Sequence, residues 1–295
     1  QSPSYIRRMA VIKGEASPLR QINANMWVLD CPFTVLSANY LPASLFNIVN
    51  RKNNARIARW IVEQATALGF KNYIHLIDTD IYRSRYLKEY IHPAVSIYYR
   101  RDYIIGEAYW RRHGTRLEPE LAASANIVLA NSTRFAAELQ PYNPHTYPIE
   151  TGVNLELYNP AKKYETPGDM QDIPRPIIGY MGTINSTRLD GELLYQIISQ
   201  RPDYSFVFTG PEDDIFRRNR IHSLKNAYFT GQKKVDELPA YIAAYDVCIN
   251  PQMVNEITDG NYPLKIDEYL AMGKPTVATS THTMRNIFAG HTHLA

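Results

Sequence analysis

The sequence predicts an α/β protein whose parallel sheets, covered by helices on both faces, form two domains across a cleft. Three observations point there. A chain of 295 residues exceeds what one core usually supports, so two domains are expected. Short apolar runs alternate with helix-length segments along most of it, as in strand–helix–strand units. The interruption is LELYNPAKKYETPGDMQDIPRP (155–176), which is polar, rich in proline and without periodicity, and reads as a linker. It divides the chain into expected domains 1–168 and 169–295.

Taken in order, the strand-like runs before the linker are MWVLD (26–30), YIHLI (73–77), VSIYY (95–99) and NIVLA (126–130). After it come PIIGYM (176–181), YSFVFT (204–209), NAYFT (226–230), DVCIN (246–250) and PTVAT (275–279). Each is a continuous apolar run of strand length, the form taken by strands buried on both faces. Helices are expected between them at 43–69, 84–91, 117–124, 132–140, 189–201, 213–222, 235–244 and 262–272. Ligands of such sheets bind beyond the carboxyl ends of the strands, where a cleft between domains would lie.

Composition narrows the class. Hydrophobic residues are 45% and charged residues 21%, as in an ordinary globular protein, and no apolar run approaches a membrane span of ~18 residues. No secretory signal pattern opens the chain. The two cysteines, Cys31 and Cys248, lie in apolar stretches and read as core thiols; two are too few for a disulfide framework or a zinc site. A reducing cytoplasm fits. Residues 1–158 carry 18 Lys/Arg against 13 Asp/Glu, a balance of +5, while the remainder carries 14 against 16, a balance of −2. The excess gathers at Arg83, Arg85, Lys88, Arg100, Arg101, Arg111, Arg112 and Arg116, either as a solvated surface or as a patch facing acidic lipid headgroups or a phosphate-bearing acceptor. Nucleic acid is not an expected partner, because the basic segment lacks glycine-rich or aromatic interleaving.

Two motifs carry chemistry. In IIGYMGTI (177–184) a strand runs into Gly179-x-x-Gly182 ahead of a helix, so backbone N–H groups can approach a phosphate; Arg188 adds a fixed positive charge. In NEITDGNYPLKIDEYLAMGKPTVAT (255–279), Pro263 suits the first turn of a helix that Gly273 ends. Lys265 then lies in that first turn, where helix dipole and ammonium both attract anions, and Glu268 shares its face. Such a pair suits a nucleotide: the lysine holds diphosphate and the glutamate accepts from ribose hydroxyls. Thr183, Thr258 and Leu264 complete the candidate donor-binding set.

These stretches resemble the family 4 type of retaining glycosyltransferases with the GT-B fold, in particular the branch that builds bacterial surface polysaccharides. The similar blocks are SIYYRRDY (96–103), LEPELAASANIVLANS (117–132), IETGVNLELYNP (149–160), GYMGTINSTRLDGELL (179–194), FVFTGPE (206–212), AYFTGQKKVDELPAYIAAYDVCINP (227–251) and PLKIDEYLAMGKPTVAT (263–279). The resemblance covers about residues 95–280. It implies two Rossmann-like domains, the first on the acceptor side and the second binding the nucleotide sugar. It further implies that Gly182 approaches the donor phosphates, that Arg188 and Lys265 bind the diphosphate, and that Glu268, the second glutamate of an E-x7-E signature, binds the ribose. Asp102 matches an acidic position at the cleft and is a candidate for orienting acceptor or donor hydroxyls. Asp102, Arg188 and Lys265 are thus the candidate catalytic set.

Some positions depart from the family pattern. Gly260 stands where E-x7-E has its first glutamate, Thr183 where many relatives carry arginine, and Thr151 where asparagine precedes Gly152-Val153. The usual first strand and glycine-rich loop are not recognisable before residue 26, and trimming at both ends is expected. A rival signal, Asp78-x-Asp80 after the run 73–77, is the arrangement by which other glycosyltransferases hold a divalent metal; at strand ends it more often caps the next helix. His75, His92 and His113 read as structural.

The expected activity is metal-independent transfer of a sugar, with retention, from a nucleotide-diphosphate donor to a saccharide or lipid-linked acceptor in surface polysaccharide biosynthesis. No cofactor is expected, the nucleotide sugar being a co-substrate. Peripheral contact with an anionic membrane at the inner face of the plasma membrane is a further expectation. The alternatives are a sugar-nucleotide epimerase of the same fold and a non-catalytic nucleotide-binding member of a polysaccharide assembly complex.

Overall fold

The computed structural model describes residues 3–288. The chain divides into two compact units, one running up to Tyr98 together with Glu107–Ile127, the other comprising Tyr99–Gly106 and the described residues from Val128 on. Neither edge falls at residue 168.

The first unit opens with helix α1 (Pro3–Ile12) and a hairpin of β1 (Leu19–Asn23) and β2 (Met26–Leu29). The run 26–30 was expected in a parallel sheet, but it pairs antiparallel with β1. The cause is the turn: the Asn23 side chain accepts from the Asn25 N–H at 2.9 Å and reverses the chain within two residues. Asp30 ties this hairpin to α1 through Arg7 and Arg20, whose guanidinium charges and hydrogen bonds offset burial and hold its carboxyl below the usual range. The long helix α2 (Ala43–Ala67) follows, then β3 (Ile74–Asp78), α3 (Ile81–Ser84), α4 (Leu87–Ile91), β4 (Val95–Arg100), whose last two residues belong to the second unit, and α5 (Ala108–Ser124). The single helix expected at 84–91 is broken because Asn54, fully buried on α2, accepts from the Tyr86 N–H at 2.9 Å and donates to the Tyr82 carbonyl at 3.0 Å. Those backbone groups therefore bond outside a continuous helix.

The second unit continues with β5 (Ile127–Ala130), α6 (Thr133–Leu139) and β6 (Thr146–Pro148). The order β3-β4-β5-β6 forms one sheet, in which β5 and β6 are parallel. Then come β7 (Ile177–Met181), α7 (Gly191–Gln200), β8 (Ser205–Thr209), β9 (Ala227–Gly231), α8 (Leu238–Ala244), β10 (Val247–Asn250), α9 (Leu264–Ala271), β11 (Thr276–Ala278) and α10 (His282–Ile287). Their sheet has the order β11-β10-β7-β8-β9 and its pairs are parallel, so the order reverses between β7 and β10. Alternation along the strands loads both faces. Ile177, Met181 and Val207 pack on one side with Tyr245, Ile266 and Tyr269; Tyr180, Phe206 and Phe208 pack on the other with Leu194 and Ile198.

Two further expectations change. The helix at 213–222 is instead two 3-10 turns, Phe216–Arg218 and Arg220–Ser223; Asn219 between them accepts from the Ile221 N–H and breaks the run. The polar segment 155–176 is packed rather than free. Tyr158 and Met170 are core residues, and Asp169 accepts from Lys233 at 2.6 Å and Tyr241 at 2.8 Å. Its few apolar anchors have no period to betray them. Of the thiols, Cys248 is a core residue whose pKa burial pushes up, whereas Cys31 is only half-buried.

Candidate functional site

A cavity of about 760 Å³ opens in the second unit at the carboxyl ends of β7, β8 and β10, where the strand order reverses. Gly182, immediately after β7, has φ +131° and donates its N–H to the Thr209 carbonyl at 2.9 Å. Gly210, immediately after β8, has φ +149°, and a Cβ there would lie 2.0 Å from the Gly182 carbonyl oxygen. The two loops therefore cross backbone to backbone, which only glycine permits. A Cβ at Gly182 would in turn lie 2.9 Å from Lys265 Nζ. Gly179 has another cause: a Cβ there would enter the Tyr245 ring at 2.1 Å, so this glycine serves packing and does not open backbone to a ligand as expected.

Helix α9 delivers two side chains to the cavity. Lys265 in its first turn donates to the Tyr180 hydroxyl at 2.7 Å, and its ammonium lies 4.2 Å from that ring's centroid. The Tyr180 hydroxyl donates onward to the Thr183 carbonyl at 3.0 Å. One buried phenol thus links the cation to the loop after β7. Glu268, a turn further along α9, has its carboxyl pushed above the ordinary range by burial, against the opposing pull of a hydrogen bond from Tyr158 and the Lys265 charge. Tyr158 is itself shifted upward, first by burial and then by the Glu268 charge.

The third group stands where β4 ends. Arg188 pairs with Asp102 at 3.5 Å, and Arg101 approaches the other Asp102 oxygen at 3.6 Å. Arg188 is held by its backbone, whose carbonyl accepts from the Met253 N–H at 2.9 Å, and Leu189 bridges to Gln252. Asp190 then caps α7, accepting from the N–H groups of Glu192 and Leu193.

The cavity brings together Asp102, Gly182, Thr183, Arg188, Leu264, Lys265 and Glu268. Thr258 is placed elsewhere. It is fully buried, accepts from the Asn255 N–H at 3.2 Å and donates to the Met253 carbonyl, so its hydroxyl shapes the loop after β10 instead of facing the cavity. Sequence reasoning missed Tyr180, Gly210 and Tyr158. The glycine directly after β8 was a visible signal, whereas nothing in the sequence marked those two tyrosines among twenty-two. At Gly260, a Cβ would lie 2.6 Å from the Phe135 ring and 3.0 Å from Arg134 Cδ. Arg134 is anchored to Asp259 at 2.7 Å. The first atom of a glutamate side chain has no room there.

The rival aspartates are in the first unit. Asp80 caps α3, accepting from the Arg83 N–H at 3.0 Å and pairing with its guanidinium at 2.7 Å, while Asp78 accepts from Thr79 at 3.1 Å. Among the described residues no cluster of three His, Cys, Asp or Glu could hold a metal, and no helix is long and apolar enough to cross a membrane. Much of the basic excess is engaged within its own unit: Arg85 and Arg116 with Glu120, Lys88 with the Ser124 carbonyl, Arg112 with the Tyr40 carbonyl, and Arg100 with Glu138.

Residues 175–294 match the family model for glycosyl transferases group 1. The Bacillus subtilis (strain 168) protein TuaH, named as a teichuronic acid biosynthesis glycosyltransferase, is 30% identical over 135 residues, 45% of this chain and 34% of that protein. The match thus spans about a third of the length of that curated relative. HepE of Anabaena, solved in complex with UDP, is similar with a TM-score of 0.58 at 16% identity, over 77% of this chain and 64% of that one. Sucrose-phosphate synthase of Thermosynechococcus elongatus is similar with a TM-score of 0.64 at 18% identity, over 96% of this chain and 76% of that one. At such identities the likeness shows the fold, which is GT-B.

Proposed function

We propose that this chain, which carries a glycosyl transferases group 1 segment on a GT-B fold, transfers a sugar from a nucleoside-diphosphate donor to a saccharide or lipid-linked acceptor. The observation that carries the reading is the convergence of Gly182, Arg188, Lys265 and Glu268 on one cavity at the switch point of the sheet. Residues 169–295 would supply the donor-binding domain and 1–168 the acceptor side. HepE, solved with UDP and with UDP-glucose, makes uridine nucleotides the first probes.

As the bond from the anomeric carbon to the diphosphate oxygen breaks, negative charge grows on the departing diphosphate. The Lys265 ammonium, the Arg188 guanidinium and the amides beside Gly182 are already in place to receive it, which avoids reorganisation during the reaction. This set would stand in for a divalent metal. Arg188 would share its charge between the diphosphate and Asp102, so donor binding also sets the orientation of the Asp102 carboxylate. Family resemblance gives retention, with the acceptor hydroxyl attacking on the leaving-group side and passing its proton to the diphosphate oxygen. Glu268 as a carboxylate would accept from the ribose hydroxyls. TuaH, by its name, favours a surface polysaccharide as the product class, and a cytoplasmic site follows from the use of nucleotide sugars. The N-terminal charge excess and the family resemblance together favour peripheral contact with an anionic membrane.

The test is calorimetry with UDP, GDP, dTDP and their sugars, with and without EDTA, on the wild type and the Lys265→Ala and Glu268→Ala variants. Binding of one nucleotide class, indifferent to EDTA and weakened about 10- to 100-fold by Lys265→Ala, is the expected result. Binding that requires a divalent metal and ignores both substitutions would overturn it. Donor turnover without acceptor would replace transfer by epimerisation.

A further inference from the structure

Beside the Asp102–Arg188 pair the same cavity is lined by two carboxamides, Asn131 and Gln252. Both are more than nine-tenths buried, at 2% and 5% exposure. The side-chain oxygen of each, Asn131 Oδ1 and Gln252 Oε1, is buried and has no hydrogen-bond partner among the described residues. A buried amide oxygen left without a partner is costly, so such groups rarely stay unmatched unless a ligand or water meets them. Their backbones fix where they stand. The Asn131 N–H donates to the Arg100 carbonyl at 3.2 Å, two residues before Asp102, and Gln252 bridges to Leu189, next to Arg188. The two amides therefore come to the cavity from different elements, one just after β5 beside the end of β4 and one after β10 beside Arg188.

We propose that Asn131 and Gln252 bind hydroxyl groups of the sugar that the donor carries, and so set which sugar is accepted. The inference rests on the proposed donor site. Three points carry it. A sugar joined to a diphosphate at Arg188 lies next to both amides. Its hydroxyls each donate and accept, and so match a carboxamide in either orientation. At Gly260 the Phe135 ring and Arg134 leave no room for a longer side chain, so no polar group can reach the sugar from that position. A site built to hydrogen-bond hydroxyls discriminates strongly against analogues lacking them, because its buried groups are then left unpaired.

The experiment compares Asn131→Leu, Asn131→Asp, Gln252→Met and Gln252→Glu with the wild type. Calorimetry measures affinity for UDP, GDP and dTDP and, separately, for the matching nucleotide sugars. The Leu and Met variants keep the volume and lose the hydrogen bond. They are expected to weaken the nucleotide sugar by about 10-fold while leaving the bare diphosphate unchanged. The Asp and Glu variants, which restore an acceptor oxygen, are expected to recover part of that loss. Equal weakening of both ligands would show a merely structural role and overturn the proposal, as would unchanged affinity for both. If the wild type binds no nucleotide, the donor reading falls by itself. The inference is then decided by free glucose and N-acetylglucosamine against the side-chain NH2 resonances of Asn131 and Gln252, where shifts sustain it and their absence overturns it.

Discussion

Glycines at two places on the edge of the five-stranded sheet, the crossing after β7 and β8 and the loop after β10, stand there for different reasons. After β7 and β8, Gly182 and Gly210 meet through their main chains, with the Gly182 carbonyl oxygen 2.0 Å from where a Gly210 Cβ would be. After β10, the atoms nearest a Cβ at Gly260 belong to side chains, the Phe135 ring at 2.6 Å and Arg134 at 3.0 Å. A main-chain obstacle cannot yield without moving two strands, while a side-chain obstacle can be trimmed. The first crossing defines the floor of the cavity. The second leaves no room for a longer side chain at residue 260.

The largest effect should come from the main-chain crossing. Gly210→Ala must displace the Gly182 carbonyl and hold φ near +149°, and a loss of about 3 kcal/mol or more is expected in thermal unfolding, together with loss of nucleotide binding. An unchanged melting temperature would break the distinction between the two loops. Next, Gly260→Ala should cost about 1–3 kcal/mol by overpacking. Combining it with Phe135→Leu should cost less than the two single changes summed, read by a double-mutant cycle in urea. Strict additivity would show that Phe135 is not the obstacle.

Smaller effects sharpen the first loop. Tyr180→Phe keeps the ring beneath Lys265 and removes both hydroxyl bonds; about 1 kcal/mol of stability and a weakening of UDP binding by about fivefold are expected. Glu268 provides the mildest probe, through pH. Its raised pKa means the native state holds this proton more tightly than the unfolded chain does. The burial penalty of its charge is thus absent at low pH and grows as pH rises through the raised value. The carboxylate that would accept from ribose is, by the same sign, lost on acidification above the ordinary value of 4.5. Nucleotide affinity should therefore fall with an acid limb that Glu268→Gln lacks, measured by calorimetry across pH 4–8.

The second half of the chain was the more legible. Its strands appear within a residue or two of their apolar runs, because each is buried on both faces and needs no alternation to be seen. The cavity residues Gly182, Arg188, Lys265 and Glu268 were marked by spacing around a strand end and a helix start, and both features are local. The first half read less well. β1 and the opening helix went unseen, and the run at 26–30 was given the wrong partner, because nothing local says which strand an apolar run will join. The helix at 84–91 failed for a related reason: Asn54, thirty residues away, takes the hydrogen bonds that would have continued it.

By itself, then, the sequence determined the α/β class, the parallel order of elements from residue 177 onward, and the helix start that carries Lys265 and Glu268. These follow from periodicity and from groups a few residues apart. Tertiary structure alone decided that Tyr180 holds Lys265, that Gly179 makes room for Tyr245 while Gly182 opens the loop, that Thr258 turns away from the cavity, and that Asn131 and Gln252, whose side-chain oxygens are buried without a partner among the described residues, come to line it. Each of these depends on which atoms from distant strands occupy the same few ångströms. That is a property of packing, and neighbouring residues in the chain do not encode it.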